Sequence, residues 1–131
     1  MENISTINKP IADRTTKEKV EKELSLEGQV TIHINFSAKI ENSLLRLWKT
    51  TYLFSKNSSH KSKLLHHYNI PLYPRWTRVR LGQTIRFTLI FSALPKSCTH
   101  FDLIEQIPES GGFAFKNITR NSTDVYHLTL Q

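Results

Sequence analysis

One short run, Cys98-x-His100-x-Asp102 in "SCTHFDLIE", holds residues of the types that ligate metals or attack carbonyl groups. On a strand, positions two and four apart share a face, so the three side chains can converge. A metal site needs three or four donors in closed geometry, and a nucleophilic thiol needs a base held against it. Same-face neighbours on a straight strand sit about 6.6 Å apart, too far for a thiol–imidazole hydrogen bond. Cys98 is the sole cysteine, which rules out an internal disulfide and a multi-cysteine metal centre. We read the run as a turn entering a strand, with a loop thiol, an exposed His100 and an Asp102 on a surface face.

The other candidates are weaker. His66 and His67 are adjacent, so on a strand they point to opposite faces and cannot chelate one ion together. Asp102 and Glu105 are three apart, which puts them on opposite faces of a regular strand rather than side by side as an acid–base pair. Ser110-Gly111-Gly112 reads as a turn, without the strand–elbow–helix setting of a nucleophilic serine. No glycine-rich phosphate loop is present. The expectation is a protein without catalytic residues, bound metal or cofactor.

Charge carries more information. The chain has a formal net charge of +7. Residues 29–131 hold thirteen Lys/Arg against five Asp/Glu, a net of +8, and no acidic residue occurs from Asn42 to Phe101. Such a body favours anionic partners: a nucleic acid, a membrane surface or an acidic protein. Lys61, Lys63, Arg75, Arg78, Arg80 and Arg86 lie close in sequence to Tyr68, Tyr73 and Trp76. Arginine beside exposed aromatics binds phosphates and stacks on bases. We take Lys61, Lys63, Arg75, Trp76, Arg78, Arg80 and Arg86 as a candidate basic binding face. The competing reading is that Tyr73 and Trp76 are used up in packing while the arginines are merely solvated.

These residues need elements to position them. In "VTIHINFSAKI", Val30, Ile32, Ile34, Phe36, Ala38 and Ile40 alternate with polar residues, which specifies a strand with one buried face. "TIRFTLIF" alternates again, with Ile85, Phe87, Leu89 and Phe91 inward. "LLRLWKTTYLF" reads as one strand, with a bulge where the alternation slips near Leu47 and Trp48. "SKNSSHKSK" reads as a polar loop, and "LLHHYNI", "RWTRVRLG", "HFDLIEQI", "GFAFKNI" and "DVYHLTL" as further short strands. Seven or eight antiparallel strands with turns at this spacing predict an all-β sandwich. The expected core is Ile32, Ile34, Phe36, Leu47, Tyr52, Ile85, Phe87, Leu89, Phe91, Leu103, Phe113, Phe115, Val125 and Leu128, with the facing of the last two left open.

Residues 1–28 read as a separate, flexible charged tail. Thr15-x-x-Glu18 offers a capping box for a short helix, with only Val20 and Leu24 to dock it. The N-terminus lacks the apolar stretch of a signal peptide, and "TLIFSAL" is too short to span a bilayer. The default location is therefore the cytoplasm.

"VRLGQTIRFTLIFSALPKSCTHFDLIE" resembles a pattern in bacterial immunoglobulin-like modules, at Leu81-Gly82, Phe87 through Phe91, Leu94-Pro95-Lys96 and Phe101 through Glu105. "LWKTTYLFS", "LHHYNIPLYPRWTRVRLG" and "GGFAFKNITRNSTDVYHLTL" are similar to small uncharacterised proteins or appended modules of the Bacteroides group. The resemblance covers roughly residues 29–131. It implies an immunoglobulin-like β-sandwich, and the acid-free stretch from Asn42 to Phe101 adds the expectation of a non-enzymatic accessory or binding module acting through the basic face or an exposed strand edge. It transfers no catalytic residue, and it leaves a cell-envelope location open. Nucleic-acid binding through the basic and aromatic cluster is the alternative.

Overall fold

Alternation of small apolar and polar side chains needs a strand to separate the two sets, and the fold is strands throughout. The computed structural model describes residues 28–130, so the charged tail, its capping box and the docking of Val20 and Leu24 lie outside the described residues. The strands are β1 (Val30–Ser37), β2 (Ser43–Leu45), β3 (Thr51–Ser55), β4 (Lys61–Tyr68) and β5 (Thr77–Val79). They continue with β6 (Thr84–Phe91), β7 (His100–Glu105), β8 (Ala114–Thr119) and β9 (Val125–Leu130). There is no helix among the described residues, and hence none long and apolar enough to cross a membrane.

Seven strands form one sheet in the order β8-β7-β3-β4-β6-β1-β9, and β2 pairs with β5 in a separate two-stranded sheet. All pairs are antiparallel except β1 with β9, which is parallel and departs from the wholly antiparallel expectation. The two strictly alternating segments find each other. Ile32 opposes Leu89 and Ile34 opposes Phe87, and all four are fully buried.

The sheet has to curl. Strands β8 and β9 are consecutive in the chain yet occupy opposite ends of the strand order, joined by residues 120–124 only. Laid flat, seven strands would separate the two ends by about 29 Å. The link from Thr119 to Val125 reaches at most about 21 Å. The curl brings β9 back over the other limb, where the Tyr126 ring meets Phe101 of β7 edge-on at 5.0 Å between centroids. Val30, Phe87, Phe91, Leu53 and Leu103 fill the interior.

Three expectations are corrected. The segment from Leu44 to Phe54 is not one bulged strand: β2 belongs to the small sheet, and the chain then crosses to the large one as β3. Leu47 lies on the crossing, bridged to Leu72. The phase slip near Leu47 and Trp48 is therefore a change of sheet. It also sets the facing of β3, which buries Leu53 and leaves Tyr52 half-exposed on the outside, beneath the Lys61 ammonium at 4.2 Å. Lys61 and Lys63 are strand residues rather than loop, because β4 begins at Lys61; its inward residue there is Ser62, whose hydroxyl donates to the Ala93 carbonyl. On β9 the inward residue is Tyr126, and Val125 faces out.

Candidate functional site

Cys98, His100 and Asp102 are each occupied structurally. Cys98 closes a turn on the Pro95 carbonyl, and its buried thiol donates to the carbonyl of His100 at 3.2 Å. Asp102 is 7% exposed, contrary to the surface-face expectation. A bulge explains it: between Phe101 and Leu103, β8 spends an extra residue, and Asn117 turns to φ +57°. That turn aims the Asn117 N–H at the Asp102 carboxylate, 2.7 Å away. Lys56 and Lys116 stand at 3.5 and 4.0 Å. Burial pushes the carboxyl up, but the Asn117 N–H and the two ammonium groups outweigh burial and hold it below its ordinary value. Among the described residues no three His, Cys, Asp or Glu side chains gather around a common point fit for a metal ion.

Glu105 is also buried, and it has a different job. Its carboxylate accepts the backbone N–H of Trp48 at 3.0 Å and that of Phe113 at 3.4 Å, tying the β2–β3 crossing to the entrance of β8. Burial raises its pKa, only partly offset by those N–H groups and Arg46. Above it, Arg46 pairs with Glu109 at 3.0 Å. The Arg46 guanidinium lies over Tyr73 at 5.3 Å, and Tyr73 stacks on Trp48 at 3.9 Å.

The candidate basic residues occupy separate places. Arg78 and Arg80 are exposed on and just after β5, where they line a shallow cleft of about 710 Å³ with Leu81 and Gln83. Arg75 and Trp76 lie in the preceding loop, with Trp76 55% exposed, so it is not spent on packing. Tyr73 is also exposed, with one face of its ring stacked on Trp48. Lys61 and Lys63 sit at one end of the β4–β6 ladder, in which Leu64 opposes Phe91 and Tyr68 opposes Thr88. Arg86 lies past the other end, its carbonyl bonded by Asn69, so roughly 25 Å of strand separates it from Lys61. Arg86 instead reaches His127 of β9 at 3.4 Å, and His127 stacks on His33 at 5.0 Å.

The least satisfied region is the seam between β8 and β9. The strands run in opposite directions and are not paired to each other. Their linked end is clamped: Arg120 reaches both carboxylate oxygens of Asp124 at 2.6 and 2.9 Å, and donates to the carbonyls of Pro95 and Cys98. Tyr126 adds its hydroxyl to Asp124. Burial pushes Asp124 up, but the Arg120 and Tyr126 bonds prevail and hold it below its ordinary value. Near the Leu130 end of β9 lies a cleft of about 310 Å³ lined by Phe36, Leu44, Leu45, Trp48, Phe113 and Leu130 among others. Leu128, Leu130, Phe113, Phe115 and Ile118 pack on the core yet stay only partly buried. The Trp48 indole N–H is sealed from solvent without an acceptor among the described residues.

Sequence reasoning missed Arg46, Trp48 and the seam. The run "RLW" looks like strand interior, and nothing local shows which strands end the sheet. Comparison with family models, with curated proteins and with solved structures returns no match.

Proposed function

We propose that the chain is a non-enzymatic binding module of immunoglobulin-like character that recognises an acidic protein partner through an exposed strand edge, helped by its basic surface. One observation carries the reading: among the described residues no strand pairs with the outer edge of β9. Its six residues, "VYHLTL", include no Lys, Arg, Asp, Glu or Pro, and its pairing to β1 is regular. Natural sheets guard such edges with charge, proline or bulges because unpaired N–H and C=O groups template a further strand. The other end of the sheet has that guard, since β8 carries the bulge at Asn117 and the exposed Lys116. An unguarded edge in a body of net +8 suits strand addition by an acidic segment. Two layers of apolar side chains meeting across the curled sheet support the immunoglobulin-like character.

A second reading, nucleic-acid binding, is favoured by Arg78 and Arg80 sharing a cleft near the exposed Trp76. Anisotropy titrations separate the two. The probes are an acetylated, amidated eight-residue peptide alternating Glu with Val, its Lys–Val counterpart, and single- and double-stranded DNA and RNA. The Glu–Val peptide alone should bind, and more weakly as salt rises from about 50 to 500 mM. Binding of the nucleic acids without the peptide would overturn the protein-partner reading, and so would equal binding of the Lys–Val peptide.

A further inference from the structure

We propose that the outer face of the β2–β5 sheet, with the turns at its end, docks on an anionic membrane surface, at a site separate from the β9 edge. Among the described residues eight large apolar side chains stand exposed, and five of them, Ile40, Leu44, Tyr73, Trp76 and Leu81, lie in β2 or in the segments bordering β2 and β5. Single exposed apolar residues are ordinary, whereas a gathered patch marks an interaction surface. The gathering follows from the pairing. Val79 is buried, so alternation turns Arg78 and Arg80 outward, and Trp76 with them. Leu44 stands opposite Arg78 and faces out because its neighbour Leu45 is the buried residue of β2.

Ile40 and Leu81 are held out by turns. The Gln83 N–H donates to the Arg80 carbonyl at 2.9 Å, the Arg80 N–H donates to the Gln83 side-chain oxygen at 3.0 Å, and Gly82 takes φ +83°. The Ser43 hydroxyl donates to the Ile40 carbonyl at 2.9 Å, beside Asn42 at φ +60°. The Gly82 N–H reaches the Ala38 carbonyl at 3.2 Å, which sets the two turns side by side. Gly, Asn and Ser supply the geometry of these turns, and nothing in it calls for isoleucine or leucine. Ile40 is 69% exposed and Leu81 56%, so burial within the chain gives little reason for either.

Charge selects the occupant. Lys39, Arg75, Arg78 and Arg80 border the patch, and among the described residues none of them is in an ion pair. Arg46 does not count toward this charge, because it is paired with Glu109. Glu41, exposed in the first turn, is the one acidic residue from Ala38 to Phe101. A second copy of the chain would press these cations against their like. Single-stranded nucleic acid binds by stacking its bases, and Ile40, Leu44 and Leu81 have no ring to stack on. An anionic bilayer uses every part of the patch. The aliphatic side chains enter the boundary of the acyl region, and the Trp76 and Tyr73 rings settle at headgroup level. Lipid phosphates meet the arginines at the cleft beside Arg78 and Arg80.

The test sediments the full chain with large vesicles of phosphatidylcholine, with or without about 30% phosphatidylserine. The chain should pellet with the anionic vesicles and not with the neutral ones, and less of it as salt rises from about 50 to 500 mM. Tryptophan emission should shift to the blue on binding, and Trp76→Phe should remove the shift. Ile40→Ser with Leu81→Ser leaves the charge intact and should lower partitioning at least about tenfold. Arg78→Ala with Arg80→Ala should lower it about ten- to thirtyfold, whereas Lys96→Ala with Lys116→Ala, which removes the same charge elsewhere, should cost less than about threefold. Thermal unfolding confirms that each variant is folded. Equal losses from the two charge pairs, or no loss from the Ile40/Leu81 variant, would reduce the effect to attraction of a basic chain to any anionic surface and overturn the docking face. Failure to pellet with anionic vesicles would also overturn it, and two further readouts would then name the occupant. Nucleic-acid binding lost in the Arg78/Arg80 variant would give the face to nucleic acid, and self-association abolished in the Ile40/Leu81 variant would give it to a second copy.

Discussion

Arg120→Ala should be the most damaging single change at a charged residue of this fold. The guanidinium is only 17% exposed and Asp124 18%, so neither group is freely solvated. Five atoms are involved: two carboxylate oxygens of Asp124, the carbonyls of Pro95 and Cys98, and Tyr126 through Asp124. The alanine removes the two-pronged partner of Asp124, which keeps only the Tyr126 hydroxyl, and the Arg120 donor of each of the two carbonyls. Hydrogen bonds to charged groups are worth about 1.5–3 kcal/mol each in such settings, but water recovers part of the loss at an 18% exposed carboxylate. A net destabilisation of about 3 kcal/mol follows, which for a domain of this size lowers Tm by roughly 10–20 °C. Arg120→Lys keeps the charge without the planar fork and should recover less than half of that. Differential scanning calorimetry of the two variants, with urea unfolding as a second probe, measures the effect. A shift below about 3 °C for the alanine, or a lysine variant as stable as the parent, would refute the idea that a two-pronged clamp holds the β8–β9 link.

Three further outcomes are expected. The His33 imidazole, bonded to Thr88 and flanked by His127 of β9 and Arg86 of β6, has its pKa lowered by burial first and then by those two neighbours. The folded state therefore binds a proton there less readily than the unfolded state, so this contribution is complete above about pH 6.5 and is lost as pH falls through the folded value. His33→Gln should flatten the drop in Tm between about pH 7 and pH 5, and an unchanged slope would contradict it. Asp102→Ala should cost about 1–3 kcal/mol in chemical denaturation, because it orphans the Asn117 N–H inside the bulge, whereas Asp102→Asn should cost less. Gly112→Ala should destabilise by at least about 2 kcal/mol, since the added methyl would stand 2.3 Å from the Glu105 carbonyl oxygen, a backbone atom that cannot step aside. A neutral Gly112→Ala would show that this loop is not pressed against β7.

What the sequence disclosed depended on whether the cause was local. Val30–Ser37 and Thr84–Phe91 have one wet and one dry face, and a period of two is all that is needed to read them. The register that joins them follows from the same apolar sets. The passage from Leu45 to Leu53 was misread because a bulge and a change of sheet shift the alternation alike; only the partner strands tell them apart, and those are far away in the chain. Lys61-Ser62-Lys63 looked like loop because its inward residue is a serine satisfied by the Ala93 carbonyl, a contact across 31 positions. Asp102 does stand on the outward face of β7, opposite Phe54, but the bulged Asn117 and the side chains of Lys56 and Lys116 close over it, a covering that only the neighbouring strands reveal. The basic residues were visible as composition but not as a surface, because nearness in sequence along β4 to β6 becomes distance along a ladder. The seam was illegible for the most general reason. It depends on which strands end the sheet, and that order is set by non-local pairing.

Recognition of an extended acidic segment by the outer edge of β9, which has no partner strand among the described residues, is tested most directly by the amide spectrum of isotope-labelled protein titrated with the Glu–Val peptide. Shift changes and slowed amide exchange concentrated in Val125–Leu130 are the predicted result. Changes confined to the amides of residues 78–83, with β9 unmoved, would contradict it.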